Sequence, residues 1–422
     1  MTPAARRFWP ALVAIALAGF GLRVLYSHLV PYSGGGADDV WYHAMANAIA
    51  DGHGLTVPRD LINGRGSLFD YSGPTVPTAF HPPLFPALLA VGSKLGLASY
   101  EAHRVIGCAL GGATVGLVGL IGRRIGGAGL GLLAAGIAAV YLPLMANESV
   151  LMSESLYGLT IAATILAALW FGDAPSWRRA ALLGVVIGLA ALTRAEALLL
   201  LVLLVPFAVR RAPAGRLRLF AVTVGATALV IAPWCIRNIT TFDRPVGITT
   251  GDGAVLAGAN AQFTYHGFQI GAWSLGGLVL PPSTGPDRYN EAAGAIRLRR
   301  KGLDYARDHA GRAVIVAGVR VLRTWSIYPF DPVDKVRYTA FVSARRRGYE
   351  WASLISAWAA MALAIAGVIG LRRRGVPLAA LVAPLALVTV VSALFFGDLR
   401  FREAADVSVV VLAAAGLRGL RR

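Results

Sequence analysis

Long apolar runs separated by short arginine clusters are the feature that most constrains this chain. Runs of about 20 residues recur along it, and each is long enough to cross the roughly 30 Å hydrocarbon core of a bilayer. Only 15% of the 422 residues are charged, whereas soluble proteins carry about a quarter. The sequence therefore predicts an all-α, polytopic membrane protein.

The arginine clusters predict how the chain crosses the membrane, because cytoplasmic loops are enriched in arginine and lysine. We expect about ten transmembrane helices, with both termini in the cytoplasm. Arginine pairs on both sides of 180–209 require a hairpin of two short spans there, with its tip at 193–196. The predicted spans are 8–30, 102–121, 126–146, 150–171, the two arms of the hairpin, 219–236, 351–371, 376–396 and 404–417.

Two apolar stretches are expected to lie along the membrane surface instead of crossing it. Residues 84–97 are too few to span, and 313–328 carries Arg320 and Arg323. If 313–328 crossed, the arginines at 372–374 would lie outside the cell, against the rule for cytoplasmic loops. We therefore predict an interfacial helix at 313–328.

This topology predicts three regions. Residues 1–236 form a transmembrane core whose first extracytoplasmic loop, 31–101, carries an acidic motif. Residues 237–350 form a modest extracytoplasmic loop with the interfacial helix, and 351–422 form the C-terminal transmembrane helices. The apolar N-terminus resembles a signal peptide, but its apolar run continues to about residue 30, so we expect an uncleaved helix.

The charge distribution identifies the face that carries chemistry. The net charge is +18, but the arginines mark membrane topology, so no nucleic acid is expected as a partner. Of the 22 acidic residues, all but Asp173 fall outside or at outer helix ends. Acidic residues contribute little to topology, so this asymmetry is independent evidence for an extracytoplasmic site.

Asp38 and Asp39 are the first candidate catalytic residues. They follow three glycines, which allow a sharp turn, and they open an amphipathic helix beside the bilayer. One aspartate would suffice to cap that helix. The pair predicts a functional carboxylate at the membrane surface, because acids with perturbed pKa values cluster at such sites.

Other candidates lie at the outer ends of helices. His81 precedes a predicted half-embedded helix, and Glu154 lies one turn inside a span, where an ionisable residue indicates function or a carboxylate that reaches the headgroups. Arginine normally favours cytoplasmic loops, so arginines at the outer ends of helices need another reason to be there. Phosphate binding would supply one, because a guanidinium binds phosphate bidentately. Lipid headgroups or nearby carboxylates are the alternative partners. The predicted phosphate-binding set is Arg194, Arg237 with Asn238, and Arg400 with Arg402.

A divalent cation is possible but not required. His43, His53 and His81 lie near the aspartates, but their spacing matches no compact ligand pattern. The sequence therefore predicts no obligatory metal or cofactor.

Four motifs together resemble those of the GT-C glycosyltransferases, and among them the protein O-mannosyltransferase and aminoarabinose transferase relatives. The resemblance covers most of the chain. The motifs are Asp38, Asp39 and Tyr42 in Asp-Asp-x-x-Tyr, His81-Pro82-Pro83, Pro233-Trp234-x-x-Arg237-Asn238, and Gly397-Asp398-x-Arg400-Phe401-Arg402. Relatives often carry glutamate at the position of Asp39 and lysine at that of His81.

The resemblance implies a GT-C-like bundle and an inverting transfer of a sugar from a polyprenyl-phosphate donor to a hydroxyl of a lipid, glycan or protein. Asp38 matches the catalytic acid position of the family. The active site would face the extracytoplasmic side of the plasma or inner membrane. Two alternatives remain open: a transporter or flippase of lipid-linked sugars, which needs charged groups midway through the membrane, and a non-enzymatic assembly scaffold.

Overall fold

The computed structural model describes residues 3–30, 37–63, 67–212, 214–279, 287, 289–343 and 346–420. The predicted glycine hinge before Asp38 lies outside these ranges. Within them the chain is almost entirely helical, which confirms the predicted all-α membrane fold. A small antiparallel sheet joins β1 (Thr56–Pro58) to β2 (Thr75–Pro77).

The α-helices are numbered in chain order. They are α1 (Pro3–Leu29), α2 (Ala37–Ala50), α3 (Leu84–Lys94), α4 (Tyr100–Gly126), α5 (Ala128–Val140), α6 (Leu142–Glu148), α7 (Glu154–Asp173), α8 (Trp177–Thr193), α9 (Leu200–Leu203), α10 (Val205–Val209), α11 (Arg216–Thr241), α12 (Gly251–Ala259), α13 (Gln262–Tyr265), α14 (Glu291–Asp308), α15 (Ala310–Thr324), α16 (Pro332–Ser343), α17 (Arg347–Arg373), α18 (Ala379–Leu394) and α19 (Glu403–Leu420).

Helices occupy every predicted transmembrane position, and the chain is a multi-pass membrane protein. Among the described residues, five helices are long and apolar enough to cross a bilayer by themselves, and α5 with α6 would make a sixth if the bent pair is one span. The five are α4, α7, α11, α17 and residues 7–29 of α1. The remaining predicted spans fall on shorter helices or on α19, which carries Glu403 and Asp406. The count of ten therefore stays a prediction.

The structure breaks two predicted segments. The hairpin prediction placed a tip at 193–196, and α8 indeed ends at Thr193, with Arg194 in an extended conformation before a 3₁₀ turn. The break in 126–146 was not predicted. The chain bends by 58° between α5 and α6, because Pro143 lacks the N–H that a continuous helix needs and its ring clashes with the preceding turn.

Small residues in α8 allow this helix to pack closely against α11. A Cβ on Gly184 would lie 2.2 Å from the carbonyl oxygen of Thr223 in α11. The same contact lets the Thr227 hydroxyl donate a hydrogen bond to the Gly184 carbonyl at 2.9 Å. Glycine at this position therefore sets the distance between α8 and α11.

The helix predicted to lie at the interface, α15, has its polar groups inside and its apolar groups outside. Arg320 and Arg323 are buried, and they donate hydrogen bonds to the carbonyls of Ala259 and Phe268 at 2.7 and 2.6 Å. Its outward face presents Val314 and similar small or apolar residues. α15 has only 15 residues, and its position at the membrane interface stays a prediction.

A compact apolar cluster holds the elements that carry the candidate site. Met45 of α2 packs with Phe85 and Leu89 of α3, and with Leu151 just before α7, all fully buried. The first turn of α2, the start of α3 and the start of α7 therefore meet at one place.

Candidate functional site

Asp38 lies in the first turn of α2 and faces two basic side chains from distant parts of the chain. Its carboxylate is 3.5 Å from Nε2 of His81 and 3.4 Å from Nη1 of Arg400. Burial by itself would raise the pKa of Asp38, but the neighbouring His81 and the charge of Arg400 outweigh it and hold the pKa well below its usual range. The side chain keeps 35% of its surface exposed, so a substrate can reach it.

Asp39 faces the opposite way. It is buried, and one carboxylate oxygen accepts a hydrogen bond from the Tyr100 hydroxyl at 2.7 Å, across the start of α4. The other oxygen is buried without a hydrogen-bond partner among the described residues. The two adjacent carboxylates, predicted as a pair, therefore occupy different environments.

A second pair of charges adjoins the first. Glu154, at the start of α7, accepts a hydrogen bond from Arg194 at 2.9 Å, and Nε of Arg194 binds Glu196 at 2.6 Å. Arg400 lies between the two groups, since its Nε is 3.9 Å from Glu154 while its Nη1 faces Asp38. We call Asp38, His81, Glu154, Arg194 and Arg400 the Asp38 cluster.

Aromatic rings form one wall of the Asp38 cluster. The ring of His81 lies 4.7 Å from that of Trp41 and 4.9 Å from that of Tyr42, measured between centroids. Tyr42 is buried, and its pKa is raised well above its ordinary value, first by burial and then by the charge of Asp38. The phenol therefore stays protonated and is available to donate a hydrogen bond.

Backbone contacts fix the loop that carries His81. The amide of Thr250 donates a hydrogen bond to the Ala79 carbonyl at 2.9 Å. The amide of Ala79 donates in turn to the Glu291 carboxylate at 2.8 Å. The Thr249 hydroxyl donates to the Phe80 carbonyl at 2.6 Å. Contacts from the outer loop thus fix the two residues that precede His81.

A 3₁₀ turn over Leu399–Arg402 presents Arg400. Asp398 caps this turn by accepting a hydrogen bond from the Arg400 amide at 2.9 Å. Burial lowers the pKa of the Arg400 side chain, but Glu154, Asp398 and Asp38 together raise it above its usual value, so the guanidinium stays charged. Gly397 before the turn lies so close to α15 that a Cβ would be 2.3 Å from the Arg320 carbonyl.

Two predicted phosphate ligands lie elsewhere and contact the backbone. Arg237 donates hydrogen bonds to the carbonyls of Leu55 and Thr78, at 2.8 and 3.0 Å. Asn238 is fully buried and donates to the Gly247 carbonyl at 2.7 Å. These contacts hold the β1–β2 region against the end of α11. A phosphate-binding role for Arg237 stays a prediction.

Arg402, two positions after Arg400, points into the protein. It is buried, its Nε lies 3.1 Å from both oxygens of Asp406, and its Nη1 donates a hydrogen bond to the Ser326 hydroxyl at 2.8 Å. The structure therefore brings six of the ten predicted residues together. These six are the Asp38 cluster and Tyr42, while Asp39, Arg237, Asn238 and Arg402 lie outside it.

The three histidines considered for a metal site lie apart. Nδ1 of His43 is 3.1 Å from Nδ1 of His103, His53 stacks on Tyr71, and His81 faces Asp38. In the ranges that the structure describes, no group of three or more His, Cys, Asp or Glu side chains could hold a metal ion. The possible divalent cation therefore has no assigned ligands.

A buried ion pair was missed by the sequence analysis. Arg23 of α1 and Glu148 of α6 are fully buried, and Nε of Arg23 donates a hydrogen bond to Glu148 at 2.6 Å. Glu403 lies nearby and accepts a hydrogen bond from Asn147 at 3.0 Å. The signal was present, because Arg23 interrupts the first predicted span and a charge inside a span indicates a paired or functional group.

A match to a known family covers part of the chain. Residues 80–236 match the family model of dolichyl-phosphate-mannose-protein mannosyltransferase. This stretch contains His81, Glu154 and Arg194, but neither Asp38 nor Arg400. A comparison with curated proteins found no match.

Solved structures share the fold over the whole chain. The archaeal oligosaccharyltransferase AglB from Archaeoglobus fulgidus, in complex with an inhibitory peptide and a dolichol-phosphate, matches with a TM-score of 0.56 at 16% identity, over 98% of this chain and 50% of that one. Its apo form matches with a TM-score of 0.55 at 15% identity, with the same two coverages. This chain thus spans about half the length of these proteins. The predicted GT-C fold is confirmed.

Proposed function

We propose, on the premise of this GT-C fold, that the protein is an inverting glycosyltransferase. It moves a sugar from a polyprenyl-phosphate donor to a hydroxyl group of a lipid, glycan or protein acceptor. The reaction takes place on the extracytoplasmic face of the plasma or inner membrane, with both termini in the cytoplasm. Arginine-rich ends of the spans support that orientation.

One observation carries the proposal: a partly exposed carboxylate, Asp38, beside a charged guanidinium, Arg400, at the membrane surface. The two groups suit the attacking group and the leaving group of one substitution reaction. A carboxylate can accept the proton of an attacking hydroxyl. A guanidinium can stabilise a phosphate as negative charge develops on it.

The acceptor hydroxyl oxygen bonds to the anomeric carbon of the sugar from the face opposite the phosphate, which inverts that carbon. The bond between the anomeric carbon and the phosphate oxygen breaks, and its electron pair leaves with the lipid phosphate. The hydroxyl proton moves to the carboxylate of Asp38, so no oxidant, reductant or further reactant is needed.

The contact of Asp38 with Arg400 couples donor binding to base strength. With His81 and Arg400 beside it, Asp38 has a pKa well below its usual range, and a carboxylate of such low pKa is a weak base. A donor phosphate competes with Asp38 for Arg400 because both are anions within reach of one guanidinium. Donor binding thereby raises the pKa of Asp38 and prepares it to accept a proton.

The neighbouring groups suit the remaining tasks. Arg194 is held by Glu154 and Glu196, which keeps its charge in a fixed position beside Arg400. The Tyr42 hydroxyl can donate a hydrogen bond to the sugar or the phosphate. The rings of Trp41 and His81, which meet edge to face at 69°, supply aromatic surface against which a sugar can pack.

Named relatives support a lipid-phosphate donor. The family model that matches residues 80–236 describes enzymes that use dolichyl-phosphate-mannose. AglB, which shares the fold, has been solved with a dolichol-phosphate. The sugar and the acceptor of this chain are not indicated by either match.

The test is a transfer assay with the purified, full-length protein. It is given a panel of polyprenyl-phosphate sugars in detergent or bilayer discs, with membrane extract as the acceptor source, and products are identified by mass spectrometry. We expect one sugar to be transferred with inversion at the anomeric carbon, and the free polyprenyl phosphate to accumulate in equal amount. Asp38→Asn provides the inactive comparison.

Two other outcomes would overturn the proposal. Movement of the intact lipid-linked sugar between leaflets of a vesicle, without a new glycosidic bond, would indicate a flippase. Loss of an assembled complex in deletion cells that Asp38→Asn fully restores would indicate a scaffold.

A further inference from the structure

A cavity of about 280 Å³ lies at the end of the bundle away from the Asp38 cluster. The ends of α4 and α7, the helix α10 and the start of α18 enclose it. Its polar side chains are Arg124, Asp173 and Arg211, and its apolar walls include Leu169, Phe207 and Pro377. Asp173 is the single acidic residue that the sequence analysis placed on the cytoplasmic side, and the proposed transfer reaction does not use it.

The cavity and the Asp38 cluster lie at opposite ends of the same helices. Glu154 begins α7 and Asp173 ends it, and a helix of 20 residues is about 30 Å long. That length equals the hydrocarbon thickness of a bilayer. In α4, Tyr100 meets Asp39 at one end and Arg124 lies near the other. The cavity therefore opens at the membrane leaflet opposite the candidate active site.

The charges of the cavity leave one guanidinium available. Arg124 forms an ion pair with Asp173. Among the described residues, no side chain pairs with Arg211, which is exposed at the rim. Two arginines and one aspartate give the lining a net positive charge, so the site attracts an anion.

We propose that this cavity binds the headgroup of a diacyl phospholipid. Basic pockets between transmembrane helices bind lipid headgroups in this way. The lipid phosphate is held by Arg211 and by the guanidinium N–H groups of Arg124 that do not face Asp173. The ion pair with Asp173 fixes the orientation of Arg124. The start of the acyl chains packs on Leu169 and Phe207, which a free phosphate ion would leave uncovered. The proposal requires a membrane-spanning chain and does not depend on glycosyl transfer.

Gly172 offers a way to close the cavity without disturbing the bundle. It lines the cavity, and a Cβ added there would meet no atom within 4 Å. A large side chain at this position therefore projects into open space. Arg178 is the matched control for Arg211, because it is an exposed arginine at the same end of the bundle, stacked over Trp177 and outside the cavity.

The experiment is native mass spectrometry of the full-length protein released from bilayer discs that contain phosphatidylglycerol, phosphatidylethanolamine and diacylglycerol. We expect one tightly retained phospholipid. Arg211→Ala should lower its retention about tenfold or more, the effect of losing one hydrogen bond to a charged group. Gly172→Phe should abolish retention, and Arg178→Ala should keep it. Thermal melting of each variant shows whether it remains folded.

Three results would overturn the proposal. Equal retention by folded Arg211→Ala and Arg178→Ala would mean that Arg211 binds no phosphate. Equal retention of diacylglycerol would mean an apolar crevice without headgroup recognition. Displacement of the lipid by millimolar inorganic phosphate would mean a site for a soluble anion.

Discussion

The carboxylate of Asp38 and the guanidinium of Arg400 meet at 3.4 Å, although 362 positions separate them in the chain. The first turn of α2 supplies one group, and the 3₁₀ turn before α19 supplies the other. Arg400 also lies near Glu154 of α7. This single side chain therefore links three parts of the bundle. Of the two adjacent aspartates, Asp38 is the one that faces it.

Replacement of Asp38 by asparagine should abolish turnover while the protein remains folded. Asparagine keeps the size and most of the N-capping ability of aspartate but cannot accept a proton. We expect turnover to fall by about 10²–10⁴-fold, with donor binding largely kept. Asp39→Asn is the control, because its amide can still accept the Tyr100 hydrogen bond, and it should keep most of the activity. The reverse pattern would make Asp39 the base, and full activity in both variants would contradict the enzymatic role of this motif.

The pH dependence of kcat/KM should reveal the contact with Arg400. The pKa of Asp38 is lowered in the folded enzyme, so the carboxylate stays ionised, and activity persists, as the pH falls below the usual range of aspartate. Removing the cation in Arg400→Gln raises that pKa, which should move the acidic limb of the profile to higher pH by about one unit or more. Arg244→Gln, which removes an exposed arginine that faces Asp243 and Asp287, should leave the limb in place. An unshifted limb in Arg400→Gln would show that Asp38 does not determine it.

Arg237→Ala should destabilise the outer region. The substitution removes the Arg237 donor from the carbonyls of Leu55 and Thr78. The Leu55 carbonyl still accepts a hydrogen bond from the Thr78 amide at 3.0 Å, so the cost of about 1–3 kcal/mol for an unsatisfied buried group falls on the Thr78 carbonyl. We expect a lower melting temperature and faster proteolysis around 51–78, with partial rescue by lysine. Unchanged melting together with weakened donor binding would instead support the phosphate-binding role that the sequence predicted.

Cysteine labelling should establish the orientation of the outer region. In a background that lacks Cys108 and Cys235, a cysteine at the exposed Leu275 should react with an impermeant maleimide applied from outside. A cysteine at Arg373 should react only after the membrane is opened. Labelling of both positions from the same side would mean that α15 crosses the membrane.

The sequence predicted the membrane fold and all five members of the Asp38 cluster, while the assignment of the two membrane faces stays a prediction. Arginine spacing located the break at Arg194, and topology put His81, Glu154 and Arg400 at one surface. Each of these inferences rests on a local pattern, either a charge at the end of an apolar run or a charge inside one.

What the sequence could not predict is which way each side chain points. Arg400 and Arg402 are two positions apart on one turn, yet Arg400 faces Asp38 and Arg402 is buried against Asp406. Asp39 and Arg237 likewise hold structural partners that are distant in sequence. Arg237 binds backbone carbonyls. Every residue type has a carbonyl, so the sequence alone cannot show which carbonyls lie within reach of this side chain.

The length of α7 has a consequence for the choice of membrane. One uninterrupted helix carries Glu154 at its first residue and Asp173 at its last, so the distance between these two charged ends is set by the helix length. A bilayer of shorter or longer acyl chains must then thin, thicken or let the bundle tilt, each at a fraction of a kcal/mol per Å of mismatch. Tilting would move the Asp38 cluster relative to the plane in which a lipid-borne substrate diffuses. The activity of the protein should therefore depend on bilayer thickness, and it should be highest where both ends of α7 lie at the membrane surface.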